Sequence, residues 1–310
     1  ATQTILGAEA VSTGQWVHVA VTVSGNNGTY YINGRAAATA SVYLEPFQLA
    51  SGASTAGLTV RNFIGKSQFS DPYLNGSIDE FRVYGGALSA SQVSALAQTL
   101  TAQLSFNESS GTVAADQTGN GNIGQLYGGA SFVTGRNGNA VKLDGSSGYV
   151  SLPSGILSSS SDLTITTWVY INTQVTWARV FDFGTGTNVW MFLTPKNGDN
   201  GNARFSITLN GNTGRQNIDG NAALPTGVWV HVAVTLSGNV GTLYVNGSVA
   251  GTATITIDPS QLGTSTNNYI GKSQFSTDPY LNALVDDFRV YYRALPIDQV
   301  QNNLQQIIDK

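Results

Sequence analysis

The sequence predicts an all-β protein, an antiparallel β-sandwich made of one complete unit preceded by the C-terminal half of another, each ending in a short helix. Three observations predict it. First, apolar and small or polar residues alternate with period two, as in Trp16-Val17-His18-Val19-Ala20-Val21-Thr22, the pattern of a strand with one face buried. Second, the chain holds 36 glycines, and Asn33-Gly34 and Asn246-Gly247 each follow an apolar run, Tyr30-Tyr31-Ile32 and Leu243-Tyr244-Val245. Asn-Gly favours the tight type I′ hairpin because both residues tolerate positive φ. Third, much of the first hundred residues returns later in the chain, so the domain organisation is itself legible.

The repeat runs in register over three blocks. Gly14-Gln15-Trp16-Val17-His18-Val19-Ala20-Val21-Thr22 returns as Gly227-Val228-Trp229-Val230-His231-Val232-Ala233-Val234-Thr235. Asn62-Phe63-Ile64-Gly65-Lys66-Ser67-Gln68-Phe69 returns as Asn268-Tyr269-Ile270-Gly271-Lys272-Ser273-Gln274-Phe275. After one inserted residue, Thr277, Asp71-Pro72-Tyr73-Leu74-Asn75 matches Asp278-Pro279-Tyr280-Leu281-Asn282, and Ile78–Tyr84 matches Val285–Tyr291. The segment from about 101 to 226 has no earlier counterpart. Residues 1–98 are therefore expected to be the C-terminal half of a first domain and residues 99–310 a complete second one. Half a sandwich leaves strand edges and an apolar face open, so the missing half is expected upstream or from another chain. Ser89-Ala90-Ser91-Gln92 has the form of a capping box ahead of Val93 and Leu96. Pro296 stands where a first helical turn accepts proline, ahead of Val300 and Leu304.

Composition narrows the function. Hydrophobic residues make up 41% of the chain, enough for a packed core, but charged residues only 10%, with a net charge of −4. Basic residues are few and scattered, so nucleic acid is not an expected partner. No apolar stretch is long enough to span a membrane as a helix. Cysteine is absent, which removes disulfides, thiolate metal sites and cysteine nucleophiles. Low charge with abundant Asn, Thr and Gly has the composition of an exported, extracellular bacterial protein.

The motifs Asp116-Gln117-Thr118-Gly119-Asn120-Gly121-Asn122, Val141-Lys142-Leu143-Asp144-Gly145, Thr164-Ile165-Thr166-Thr167-Trp168-Val169 and Arg179-Val180-Phe181-Asp182-Phe183-Gly184 carry a resemblance. The repeated Trp-Val-His-Val-Ala-Val, Ile-Gly-Lys-Ser-Gln and Asp-Asp-Phe-Arg-Val-Tyr segments complete it. Together they resemble the laminin-G-like, concanavalin-A-like domains appended to bacterial glycoside hydrolases of the arabinan- and galactan-degrading type. The resemblance covers 101–308 and, for the C-terminal half only, 1–98. It implies a jelly-roll sandwich, but that fold hosts binding modules, adhesive modules and enzymes, so function rests on the site.

Calcium takes oxygen ligands from carboxylates, amides and backbone carbonyls in tight turns, and the loop 116–122 is rich in Asp, Asn and Gly. The resemblance implies a structural Ca2+ between that loop and the aspartate near the last strand: Asp116, Gly119 and Asn122 with Asp286. The alternative is an Asx-type turn without metal.

Glycoside hydrolysis needs two carboxylates flanking the bond. Glutamate occurs only at 9, 45, 80 and 108, and Asp286 and Asp287, as strand neighbours, are expected on opposite faces. No catalytic residue is assigned. His18 and His231 share a repeat position and are expected to be structural.

Sugar recognition combines an aromatic face with planar polar groups. Trp16, Trp168 and Trp229, in alternating strands, are expected in the core, while Trp177 and Trp190 follow turns and can be core or surface. The candidate sugar-binding residues are Trp177, Arg179, Asp182 and Tyr280, with Phe69 and Phe275 as alternatives. Arg179 can hold two hydroxyls with parallel hydrogen bonds or instead pair with Asp182. The expected function is a non-catalytic carbohydrate-binding module for a polysaccharide or oligosaccharide, ancillary to a secreted polysaccharide-degrading hydrolase. An upstream catalytic domain and the missing half of domain one are possible partners. The alternative is a structural or adhesive module that binds no sugar.

Overall fold

A computed structural model describes residues 3–7, 11, 17–32, 34–43, 62–78, 81–97, 100–158 and 160–305. The chain divides into two compact units, residues 1–98 and 99–310.

In the first unit, β1 (Val19–Ser24), β2 (Asn27–Ile32) and β3 (Arg35–Ser41) form a three-stranded antiparallel sheet in the order β1-β2-β3. The helix α1 (Ala90–Ala97) starts at the capping box: Ser89 Oγ accepts the Gln92 N–H at 3.3 Å and Gln92 Oε1 accepts the Ser89 N–H at 2.9 Å. Trp16 and Asn33 lie outside the described residues.

The second unit contributes β4 (Leu100–Leu104), β5 (Val113–Ala114), β6 (Gly124–Tyr127), β7 (Ser131–Thr134), β8 (Asn139–Asp144), β9 (Tyr149–Leu152) and β10 (Leu163–Thr173). There follow β11 (Phe181–Gly184), β12 (Trp190–Thr194), β13 (Arg204–Thr208), β14 (Gln216–Asp219), β15 (Trp229–Ser237) and β16 (Val240–Val245). The last elements are β17 (Ser248–Thr254), β18 (Asn267–Ile270), β19 (Asn282–Tyr291) and α2 (Ile297–Gln305). One sheet has the order β17-β16-β15-β10-β19-β8-β7, with β4 also on β19, and the other β14-β13-β12-β11-β18-β9-β6-β5. Every pairing between these strands is antiparallel. The β16–β17 turn is the one Asn-Gly predicts, with φ of 49° at Asn246 and 72° at Gly247.

The core lies between these two sheets. Phe288 from β19 meets Phe181 and Phe183 from β11, each with ring centroids 6.2 Å away, and all three are fully buried. The repeat makes the first unit an internal control. Val232, Val234, Ile270, Phe288 and Val290 are at most 1% exposed, whereas their counterparts Val19, Val21, Ile64, Phe81 and Val83 are 48%, 61%, 57%, 64% and 84% exposed. The same residues are buried in one unit and open in the other because the second unit supplies facing strands from 100–226.

Two expectations are corrected. Between β10 and β19 the register shifts, so that Asp287 and Phe288 together oppose Thr167 alone, and Asp287 has φ 49°. This β-bulge breaks the alternation. The core-facing residues are Ala283, Val285, Phe288 and Val290, so Asp286 and Asp287 both fall on the outer side of the sheet rather than on opposite faces. Second, Trp168 and Trp229 do not enter the inter-sheet core. Trp168 is buried on the outer face, edge-on to His231 at 5.3 Å and covered by the Arg136 guanidinium at 3.7 Å, and Trp229 packs edge-on to Tyr170 at 5.7 Å. Period two says which residues share a face, but not which of two faces meets the other sheet. His231 has the structural setting expected of it: burial lowers its pKa to about 4, so the ring is neutral at physiological pH. The α2 residues Val300 and Asn303 cover Tyr291 and Arg289 on this same face.

Candidate functional site

The other sheet leaves its outer face open to the site. Strand register aligns Ser151, Tyr269, Asp182, Phe192, Ser206 and Asn217 in one row across β9, β18, β11, β12, β13 and β14. None of these belongs to the inter-sheet core, which takes the alternate positions Val150, Ile270, Phe181, Leu193, Phe205 and Ile218. The loop 271–281 spans this face and is closed by the Leu281 N–H donating to the Gly271 carbonyl at 3.0 Å.

Over the middle of the row stands an open pocket of about 210 Å3 lined by Trp177, Arg179, Phe192, Asn212, Arg215, Phe275 and Asp278. Trp177 is held at φ 66°, and its N–H donates to the Lys196 carbonyl at 2.9 Å. Its indole crosses Gly198, where a Cβ would come within 2.6 Å of Nε1, so this position requires glycine. The Arg179 guanidinium lies 3.9 Å from the Phe192 ring centre and is almost wholly buried. It donates to Asp278 Oδ2 at 2.7 Å and to the Trp177 carbonyl, and its Nε is 3.4 Å from Asp182 Oδ2. Ser273 Oγ donates to Asp278 at 2.9 Å, and the Gln274 N–H donates to Asp182 at 3.1 Å. Desolvation raises Asp182 to about 6, against the opposing pull of Arg179. The result is a partly exposed aromatic wall, Trp177 with Phe275, beside an Asp278 carboxylate held in place by the buried Arg179.

Trp177, Arg179 and Asp182 are thus brought together, and the Arg179–Asp182 pairing weighed in the sequence is present. Asp182 lies beneath the pocket rather than in its lining. Trp190 is buried, stacked on Phe192 at 4.8 Å, with Phe275 edge-on to it at 6.1 Å. Tyr280 is not in the pocket. Phe275 and Asp278, in the middle of the loop, meet β12 and Arg179, while Tyr280, at its end, meets Tyr149 of β9 at 6.3 Å. Phe192, Asn212, Arg215 and Asp278 were not singled out from sequence. Phe192 sits in an unbroken apolar run that hides its facing, and Arg215 follows the polar turn Gly211–Gly214. Asp278 did leave a signal, its recurrence as Asp71 in the repeat. Phe69, the counterpart of Phe275, is 82% exposed.

The residues proposed for calcium do not fit a bridging ion. Asp116 Oδ1 accepts the N–H groups of Gln103 and Thr118 at 3.1 and 3.0 Å, and Oδ2 accepts that of Asn122 at 2.9 Å. The Asn122 amide donates to the Thr101 carbonyl at 2.8 Å, and Gly119, at φ 77°, turns the loop. Asp286 belongs to a different network, accepting the N–H groups of Arg136 and Asn137 at 3.1 Å each. Donor hydrogens thus face both carboxylates, and among the described residues no three His, Cys, Asp or Glu side chains converge on a metal position. Removing calcium with a chelator is expected to leave the melting temperature unchanged in a thermal scan, and a fall of several degrees would restore the metal.

Two antiparallel sheets with a pocket of aromatic and paired polar groups on one outer face define a lectin-like jelly-roll sandwich. The family model described as the concanavalin A-like lectin/glucanases superfamily matches residues 1–94 and 144–301, and the chain belongs to that superfamily. Among solved structures, domain 4 of AbnA, a GH43 extracellular arabinanase from Geobacillus stearothermophilus, solved with arabinotriose, is similar at 27% identity. The match has a TM-score of 0.59 and covers 67% of this chain and 98% of that one. The binding domain of paraclostridial mosquitocidal protein 1 shares the fold at 17% identity and TM-score 0.51, over 68% of this chain and 53% of that one. The botulinum neurotoxin serotype D/C binding domain shares it at 15% and 0.54, over 67% and 52%. No curated protein sequence matches. No described helix is long and apolar enough to cross a membrane.

Proposed function

We propose that the second unit is a non-catalytic carbohydrate-binding module of a secreted polysaccharide-degrading enzyme, and that the Trp177–Arg179–Asp278 pocket takes a neutral, arabinose-containing oligosaccharide. The observation that carries this reading is the pocket itself. Trp177 and Phe275, both partly exposed, offer apolar faces to a sugar ring, and Asp278, fixed by Arg179 at 2.7 Å, is placed to accept from a sugar hydroxyl. The similarity to an arabinanase domain solved with arabinotriose points to the same ligand class. A binding role fits the carboxylates better than catalysis does, since Asp182 and Asp278 are both held by one guanidinium. Tethering by such a module raises the local substrate concentration for an attached catalytic domain.

The test is affinity electrophoresis in arabinan gels with titration of arabinotriose. Trp177→Ala is expected to weaken binding about thirtyfold, the effect of losing a central aromatic anchor worth ~2 kcal/mol, with the melting temperature preserved. Arabinan retention that is absent, or unaffected by Trp177→Ala, would refute the site.

For the first unit, the open face of Val19, Val21, Phe81 and Val83 favours a second role. On this reading it is the C-terminal half of a like domain and is completed by a segment equivalent to 101–226.

A further inference from the structure

A second cluster on the outer face of the β18–β9–β6 side is not part of the pocket. Tyr127 and Tyr149 are cross-strand partners with rings stacked 5.0 Å apart at 14°. Tyr269 stands edge-on to Tyr149 at 5.5 Å, and Tyr280 closes the group. Tyr127 is 47% exposed and the other three are partly exposed, so Tyr127 above all offers a ring to a ligand. The Lys272 ammonium lies over this bed, 4.3 Å from the Tyr149 ring centre and 4.8 Å from that of Tyr269. Among the described residues no carboxylate lies within ion-pair distance of it.

Part of the arrangement recurs. In the first unit Lys66 lies 5.0 Å from the Phe63 ring centre and 5.7 Å from that of Tyr73, the counterparts of Tyr269 and Tyr280. The loop that carries it closes through the same bond, Leu74 N–H to Gly65 carbonyl at 2.9 Å, and both loop glycines have positive φ, 74° at Gly65 and 89° at Gly271. The loop therefore encodes its own shape and the contact of its lysine with the aromatic ring at 63 or 269, while the sandwich adds Tyr149 to the bed.

An ammonium has three N–H donors, and those not directed at the aromatic faces remain for a ligand. Flat tyrosine faces suit a pyranose ring, while an unneutralised ammonium above them favours a carboxylate over a neutral hydroxyl, because a charge-assisted hydrogen bond is roughly twice as strong. We infer that Lys272, with Tyr127, Tyr149, Tyr269 and Tyr280, forms a second sugar subsite that takes an acidic sugar, a uronic acid residue. The assignment extends the carbohydrate-binding reading to a different sheet region and a different ligand, and it does not use the Trp177 pocket.

The test is calorimetric titration of the whole chain with tetragalacturonate and with its methyl ester, which keeps the rings and removes the charge. The acid is expected to bind about tenfold more tightly than the ester at low salt. Lys272→Gln should abolish that difference, and Tyr127→Ala should weaken both ligands. Trp177→Ala should leave the acid unaffected while weakening arabinotriose binding. Equal affinity for acid and ester in the parent protein, no binding of either, or an acid preference that survives Lys272→Gln would each overturn the subsite. Loss of arabinotriose binding alone bears on the pocket and not on this assignment.

Discussion

Replacing Arg179 by alanine is expected to destabilise the second unit by about 3–5 kcal/mol at pH 7.5, because it strands the buried Asp182 carboxylate without its counter-charge. Arg179 and Asp182 are 3% and 0% exposed at the side chain, so solvent cannot substitute for the missing partner. The loss should depend on pH in a definite direction. Burial already raises Asp182 to about 6 in the intact protein, and removing the guanidinium raises it further. A carboxylate whose folded pKa lies above its unfolded value binds more protons when folded, so stability increases as pH falls through the folded pKa. The variant starts this recovery at a higher pH and recovers more, so its deficit against the parent should shrink between pH 7.5 and pH 5. Urea denaturation at the two pH values measures it. A deficit that is constant, or that grows on acidification, would mean that Asp182 is not the stranded charge. Asp182→Asn in the Arg179→Ala background should recover part of the loss, since a neutral amide can keep the Gln274 N–H bond.

The second large effect is a contrast within one chain. Phe288→Ala should cost about 3–5 kcal/mol, the price of removing a fully buried ring from a packed core, because it empties the space against Phe181 and Phe183. Phe81→Ala, at the equivalent position of the repeat, removes a side chain that is 64% exposed and should change stability by no more than about 0.5 kcal/mol. Differential scanning calorimetry of both variants reads the result. A comparable loss for Phe81→Ala would show that the first unit acquires a covering partner in solution, such as a second copy of the chain, and concentration dependence of that loss would identify the copy.

Much of the architecture was written locally. The strands came from period-two alternation, the β16–β17 turn from Asn246-Gly247, and the start of α1 from Ser89 and Gln92. The shape of the loop at Gly271 was local as well, since Gly65 repeats it without the rest of the sandwich. These features depend on backbone preferences and near neighbours, which a single sequence carries.

Tertiary structure decided the facing and the meeting of distant segments. Alternation shows that Trp168 and His231 share a face, yet only the packing of the two sheets shows that it is the outer one. The bulge at Asp287 depends on a register set by β10. Trp177, Arg179 and Asp182 are near in sequence and were legible as a group, but the pocket needs Phe192, Arg215 and Asp278, brought in from β12, the turn before β14 and the 271–281 loop. Tyr280 went to the other end of its loop for the same reason: which neighbour a side chain meets is fixed by strand order, and strand order depends on contacts between residues far apart in the chain.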